Sequence, residues 1–71
     1  MYLRTERGEH EVKLGDLMGV VEMSQEVTVY KVGESGFCYQ GMAAHLPKRL
    51  NDLNVEAVHA YEWEIDILVS E

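Results

Sequence analysis

Apolar residues at Leu14, Leu17, Met18 and Val21 fall at i, i+3, i+4 and i+7. That is the spacing of one helical face, and it predicts a short helix over residues 15–23. Asp16 lies in its first turn, where a carboxylate suits the positive end of the helix dipole. Gly19 weakens the helix by about 1 kcal/mol relative to Ala. From Glu26 to Val32 the pattern changes to alternating polarity with β-branched side chains. A turn, Gly33-Glu34-Ser35-Gly36, separates this run from Phe37-Cys38-Tyr39-Gln40-Gly41. Two such runs joined by a glycine-bearing turn predict a β-hairpin.

The helical spacing returns at Leu46, Leu50 and Leu53, behind the one proline, Pro47. Proline suits the first position of a helix, where its missing N–H costs nothing. A second short helix is therefore predicted, with Lys48 and Arg49 on its outer side and Asn54 ending it. Val55, Ala57, His59 and Tyr61 then alternate with Glu56, Val58, Ala60 and Glu62. Trp63, Ile65, Ile67 and Val69 alternate with Glu64, Asp66, Leu68 and Ser70. These residues make either one bent strand or a hairpin turning near Tyr61-Glu62. At the start of the chain, residues 2–6 read as a strand that Glu6-Arg7-Gly8-Glu9 turns back into residues 10–13.

These elements predict an α+β fold in a single small domain over residues 1–71. The expected architecture is an antiparallel sheet of four to six short strands with two short helices on one face. At 71 residues, 46% hydrophobic and 27% charged, the composition is that of a folded chain. The core of so small a chain is limited, and homo-oligomerisation is a common supplement; a homodimer is one expectation. Cys38 is the one cysteine, so no internal disulfide is expected. Residues 1–13 hold no apolar stretch of the signal-peptide kind, and the run Leu17–Val21 is broken by Gly19. The expectation is a cytoplasmic protein without membrane association.

Catalytic chemistry finds little purchase. His10, His45 and His59 share no ligand spacing, and no H-x-x-x-H, C-x-x-C or G-x-S-x-G motif occurs. Cys38 with His45 or His59 is the one conceivable dyad, set against the plainer reading of a strand thiol. No enzyme activity, catalytic residue, metal or cofactor is expected.

Charge is more informative. Thirteen acidic and 6 basic residues give a net charge of −7. That balance opposes direct binding to a phosphate backbone. It favours long-range attraction to a basic protein. Asp52, Glu56, Glu62, Glu64, Asp66 and Glu71 all follow Arg49, the last basic residue. On a continuous strand Glu62, Glu64 and Asp66 share one face at intervals of about 6.5–7 Å. A row of carboxylates at that pitch can compete for an arginine-lined nucleic-acid channel. The competing reading is a solvated outer face that blocks aggregation at a sheet edge. Phe37 and Trp63 are expected in the sheet core, and Met18, Met23 and Met42 as core filler. Tyr61 is a candidate contact anchor. Leu68 and Tyr39 are candidates for an apolar self-association surface.

Leu14-Gly15-Asp16-Leu17, Val27-Thr28-Val29-Tyr30, Tyr39-Gln40-Gly41, Leu46-Pro47 and Val55 together form a pattern over residues 12–70. It resembles short acidic proteins of phages and mobile elements of Gram-positive bacteria. The resemblance implies an anti-defence context of the anti-CRISPR kind, and assigns no functional residue. Two functions are therefore expected in competition. One is a non-enzymatic inhibitor of a basic, nucleic-acid-handling protein, with a CRISPR effector nuclease as the leading partner. Its contact residues would be Glu62, Glu64, Asp66, Glu56, Asp52 and Tyr61, with Glu71 in support. The other is a self-associating accessory module of a mobile element.

Overall fold

A computed structural model describes residues 2–4 and 12–71, the first segment by its backbone. Among the described residues five strands and one short helix occur in the order β1 (Tyr2–Arg4), α1 (Leu14–Met18), β2 (Glu26–Lys31), β3 (Phe37–Met42), β4 (Asn54–Ala60) and β5 (Ile65–Ser70). Two 3-10 turns, Ala43–His45 and Lys48–Leu50, link β3 to β4. The strands form one sheet in the order β1-β4-β5-β2-β3. The fold is mostly sheet. The turn-back expected at residues 6–9 lies outside the described residues. Lys13 bridges Asn54 outside the named strands.

The sheet is mixed and not wholly antiparallel. β2–β3, β4–β5 and β1–β4 pair antiparallel, but β2 and β5 run parallel, with Val27 opposite Ile65 and Val29 opposite Ile67. Parallel neighbours need a long crossover. Here β3, the two 3-10 turns and β4 supply it. The crossover places the two most buried strands side by side. Val27, Val29, Ile67 and Val69 are fully buried, and with Leu14, Ala43, Leu50 and Val55 they make the core.

The first helix is shorter than the spacing predicts. It ends at Met18, and Gly19, Val20 and Val21 donate to Asp16, Leu17 and Met18, so the chain tightens into i→i+3 turns. Gly15 is required by close approach, because a Cβ there would meet the Asn51 side chain at 2.9 Å.

The second predicted helix does not form. Its apolar stripe is real: Leu50 is buried, and Leu46 and Leu53 pack against the core. The backbone is used differently. Leu14 N–H donates to the Leu53 carbonyl at 2.8 Å, Gly15 N–H to that of Asn51 at 3.0 Å, and Val55 N–H to that of Val12 at 2.7 Å. Residues 51–55 thus pair with 12–15, and only the 3-10 turn at Lys48–Leu50 remains. Pro47 stands before that turn in extended conformation.

The last segment is a hairpin. Tyr61 N–H donates to the Glu64 carbonyl at 2.7 Å and closes a turn over residues 61–64. Opposite β5, β4 carries a register shift between Val55 and Ala57. The shift lets Val55 meet Val69 while Val58 meets Ile67, so both reach the core face across an odd spacing.

Candidate functional site

Alternate residues of each strand point to opposite faces of the sheet. One face holds the core and is covered by α1 and the 3-10 turns. The other face is open among the described residues, and the register lays its residues out in two cross-strand rows. Gln40, Thr28, Asp66 and His59 are successive neighbours on β3, β2, β5 and β4. Phe37, Tyr30, Leu68 and Ala57 form the second row on the same strands. β1 continues the backbone register by pairing Tyr2 with His59 and Arg4 with Ala57. One row is polar and the other apolar. Between β3 and β4 neither contains a Lys or Arg.

The polar row is a hydrogen-bond chain. Gln40 Nε2 donates to Thr28 Oγ1 at 3.4 Å, and Thr28 Oγ1 donates to Glu64 Oε2 at 2.9 Å. Glu64 folds back over the row from the 61–64 turn and shares a side-chain hydrogen bond with Asp66. Thr28 is left only 1% exposed. Burial raises the Asp66 pKa above the usual carboxylate range, and the hydrogen bond to Glu64 and its negative charge raise it further. His59, opposite on β4, pulls the other way. Asp66 Oδ1 is buried with no hydrogen-bond partner among the described residues. The Tyr30 hydroxyl is also raised, first by burial and then by the charges of Asp66 and Glu64. The Tyr61 ring stacks on His59, with centroids 4.4 Å apart and an interplanar angle of 12°.

Around this centre the face is apolar. Phe37 is 53% exposed and Leu68 38%. Trp63, in the 61–64 turn, is 74% exposed, and its carbonyl accepts from Gln25 Nε2 at 3.4 Å. The expectation that Phe37 and Trp63 lie in the core is therefore overturned. So is that of Met23 as core filler, since it too is exposed. Tyr39 turns to the covered side, packs against the core and donates its hydroxyl to the Met42 carbonyl at 2.6 Å.

The row of evenly spaced carboxylates also fails as geometry. β4 ends at Ala60 and β5 begins at Ile65, so Glu62 and Glu64 lie in the turn and Asp66 alone lies on a strand. Glu62 is exposed, whereas Glu64 and Asp66 are half-buried and turned toward each other. The structure thus joins Glu64, Asp66 and, through His59, Tyr61. Glu56 stands apart at the β4 irregularity and accepts from the Ser70 hydroxyl. Asp52 is exposed in the turn before β4. Glu71 is held by Lys31 Nζ at 2.6 Å, and Glu34 lies 3.8 Å from the same ammonium. That pairing lowers the Glu71 pKa and raises that of Lys31, in each case chiefly through the hydrogen bond.

Thr28, Gln40, Tyr30 and His59 were missed as members of the site. Their signal is positional and appears only when β2 is laid beside β5. Cys38 and His59 stand on β3 and β4, with β2 and β5 between them, which separates that pair. Among the described residues no group of three or more metal-ligating side chains is gathered. Nor is any helix long and apolar enough to cross a membrane. No model of a known protein family, no curated protein and no solved structure matches the chain.

Proposed function

We propose that this chain is a non-enzymatic acidic binding protein whose open sheet face docks a basic, nucleic-acid-handling protein and inhibits it. The observation that supports the reading is the pairing of the two rows. Glu64 and Asp66 supply negative charge at the centre, and Phe37, Tyr30, Leu68 and Tyr61 supply apolar and aromatic area beside it. Arginine suits such a surface, because its guanidinium bonds carboxylates through a planar fork and stacks on aromatic rings. Tyrosine and tryptophan are favoured anchors at contact centres. The charge of −7 draws such a partner from a distance.

The mechanism differs from imitation of a phosphate row. Glu62, Glu64 and Asp66 do not repeat at a fixed pitch, so recognition combines one carboxyl pair with an apolar strip. Inhibition then follows from covering basic residues that otherwise hold nucleic acid. A CRISPR effector nuclease remains the first partner to test.

The experiment is an electrophoretic DNA-binding assay with a purified effector nuclease and increasing amounts of this protein. The expected result is loss of the DNA complex at fixed low salt, relieved by Glu64→Gln combined with Tyr61→Ala. An effector that retains its DNA at every concentration in low salt overturns the proposed inhibition of that partner.

A further inference from the structure

β3 is an edge strand, and no described strand lies beyond it. Natural edges are usually blunted by charge or proline. Phe37–Met42 (FCYQGM) contains no Asp, Glu, Lys, Arg or Pro, although 27% of the chain is charged.

The hydrogen-bond phase of the β2–β3 pair shows which groups face outward. Ala43 N–H donates to the Gln25 carbonyl at 2.8 Å. Hydrogen-bonded pairs alternate along an antiparallel ladder, so Gly41 and Tyr39 bond to Val27 and Val29. Gln40 and Met42, opposite Thr28 and Glu26, turn their backbone groups away from β2. The Met42 carbonyl is taken by the Tyr39 hydroxyl. The Gln40 N–H and carbonyl and the Met42 N–H point away from β2, on the side where no described strand lies. Exposed apolar side chains flank this edge. Phe37 opens the strand, and Met23 lies at its far end, where its carbonyl accepts from Ala44 N–H at 3.0 Å.

We infer that the outer edge of β3 pairs antiparallel with β3 of a second copy of this chain and joins two sheets into one. The charge distribution selects that occupant. Two copies at −7 each repel over most of their surfaces. The uncharged β3 edge is where repulsion is weakest and where unpaired backbone groups offer hydrogen bonds to offset it. A two-fold axis matches Gln40 and Met42 with the same residues of the partner copy, which is the self-complementarity a symmetric dimer needs. The open face stays free on both copies, so this association is separate from docking of a basic partner.

The test is sedimentation equilibrium over about 10 μM to about 1 mM, with amide hydrogen exchange at both ends of that range. The expected result is a rise toward twice the monomer mass, with the Gln40 and Met42 amides protected only at high concentration. Gln40→Pro removes an outward N–H that no ladder bond uses, and should give a monomer with its core amides still protected. Gln40→Lys keeps the N–H and adds the charge that natural edges carry; it too should be monomeric. A wild-type monomer at every concentration overturns the inference. So does a dimer that survives both variants, or one that protects another surface. Protection of Gln40 and Met42 only on adding an arginine-rich peptide assigns the edge to a different partner and also overturns it.

Discussion

The two faces of this sheet are made by alternate residues of the same strands, yet they solve different problems. On the covered face Val27, Val29, Ile67 and Val69 are fully buried against Leu14 and Leu50. On the open face their chain neighbours, Thr28, Tyr30, Asp66 and Leu68, form a polar chain and an apolar strip, and no described helix or strand lies over them. The covered face accounts for folding by burial alone. The open face holds features that folding does not require: a threonine sealed beneath a carboxylate, a carboxyl pair, and large apolar groups left in water. A half-buried carboxyl with an unpartnered oxygen opposes folding. Its presence at the centre of that face supports the proposed binding role.

Substitutions on neighbouring residues of one strand give the sharpest contrast. Ile67→Ala should cost about 2–5 kcal/mol, since it opens a cavity in the core. Leu68→Ala, one residue on, should cost less than about 1 kcal/mol, because that side chain is already partly in water. Urea denaturation of both variants measures the difference. Equal losses would mean that the open face is covered in solution.

Thr28→Val keeps the shape of the side chain and removes the donor to Glu64. The expected loss is about 1.5 kcal/mol, the usual cost of a hydrogen bond to a charged group. If Thr28→Val instead matches wild type in urea, Glu64 does not rest on the sheet.

pH separates the carboxyl pair from the ion pair. Asp66 has a folded-state pKa above its ordinary value of 3.8. The folded state therefore holds that proton more tightly than the unfolded state. Its contribution is fully present below pH 3.8 and is lost as pH rises through the raised value. Glu71, lowered by Lys31 from 4.5, acts in the opposite sense. Its contribution is present above pH 4.5 and is lost as pH falls through the lowered value. Asp66→Asn should remove the first dependence, and a carbon NMR titration of the Asp66 carboxyl reads its raised pKa directly. An ordinary carboxylate titration at Asp66 would break the assignment. The smallest effect belongs to Lys31→Ala. Its partner Glu71 is largely exposed, so water screens the pair and urea denaturation should show the smallest change of the set.

The sequence pattern carried some of this architecture and missed the rest for identifiable reasons. Alternation at Val27, Val29, Ile67 and Val69 marks the core face from the sequence alone. The glycines of the 33–36 turn marked the first hairpin, and Gly33 and Gly36 do adopt positive φ, 85° and 77°. The parallel pairing of β2 with β5 was not legible, because local turn signals report only neighbouring strands. Leu46, Leu50 and Leu53 repeat like a helix, but the carbonyls of Asn51 and Leu53 are taken by Gly15 and Leu14. The period-2 pattern from Val55 to Val69 runs without a break through the 61–64 turn. Glu62, Glu64 and Asp66 therefore looked like one face of one strand. The Tyr61 to Glu64 hydrogen bond that interrupts them is a backbone contact that no side-chain pattern reports. Of the residues expected at the site, Glu64, Asp66 and Tyr61 meet there. Their companions Thr28 and Gln40 come from strands whose placement only the sheet order reveals.

The central claim is that the open face binds a basic partner. Amide chemical-shift mapping of the labelled protein during titration with an arginine-rich peptide tests it most directly. The account predicts salt-sensitive shifts at Thr28, Tyr30, Gln40, His59, Tyr61, Asp66 and Leu68, reduced by Glu64→Gln. Shifts confined to α1 and the 3-10 turns, or none at low salt, would contradict it.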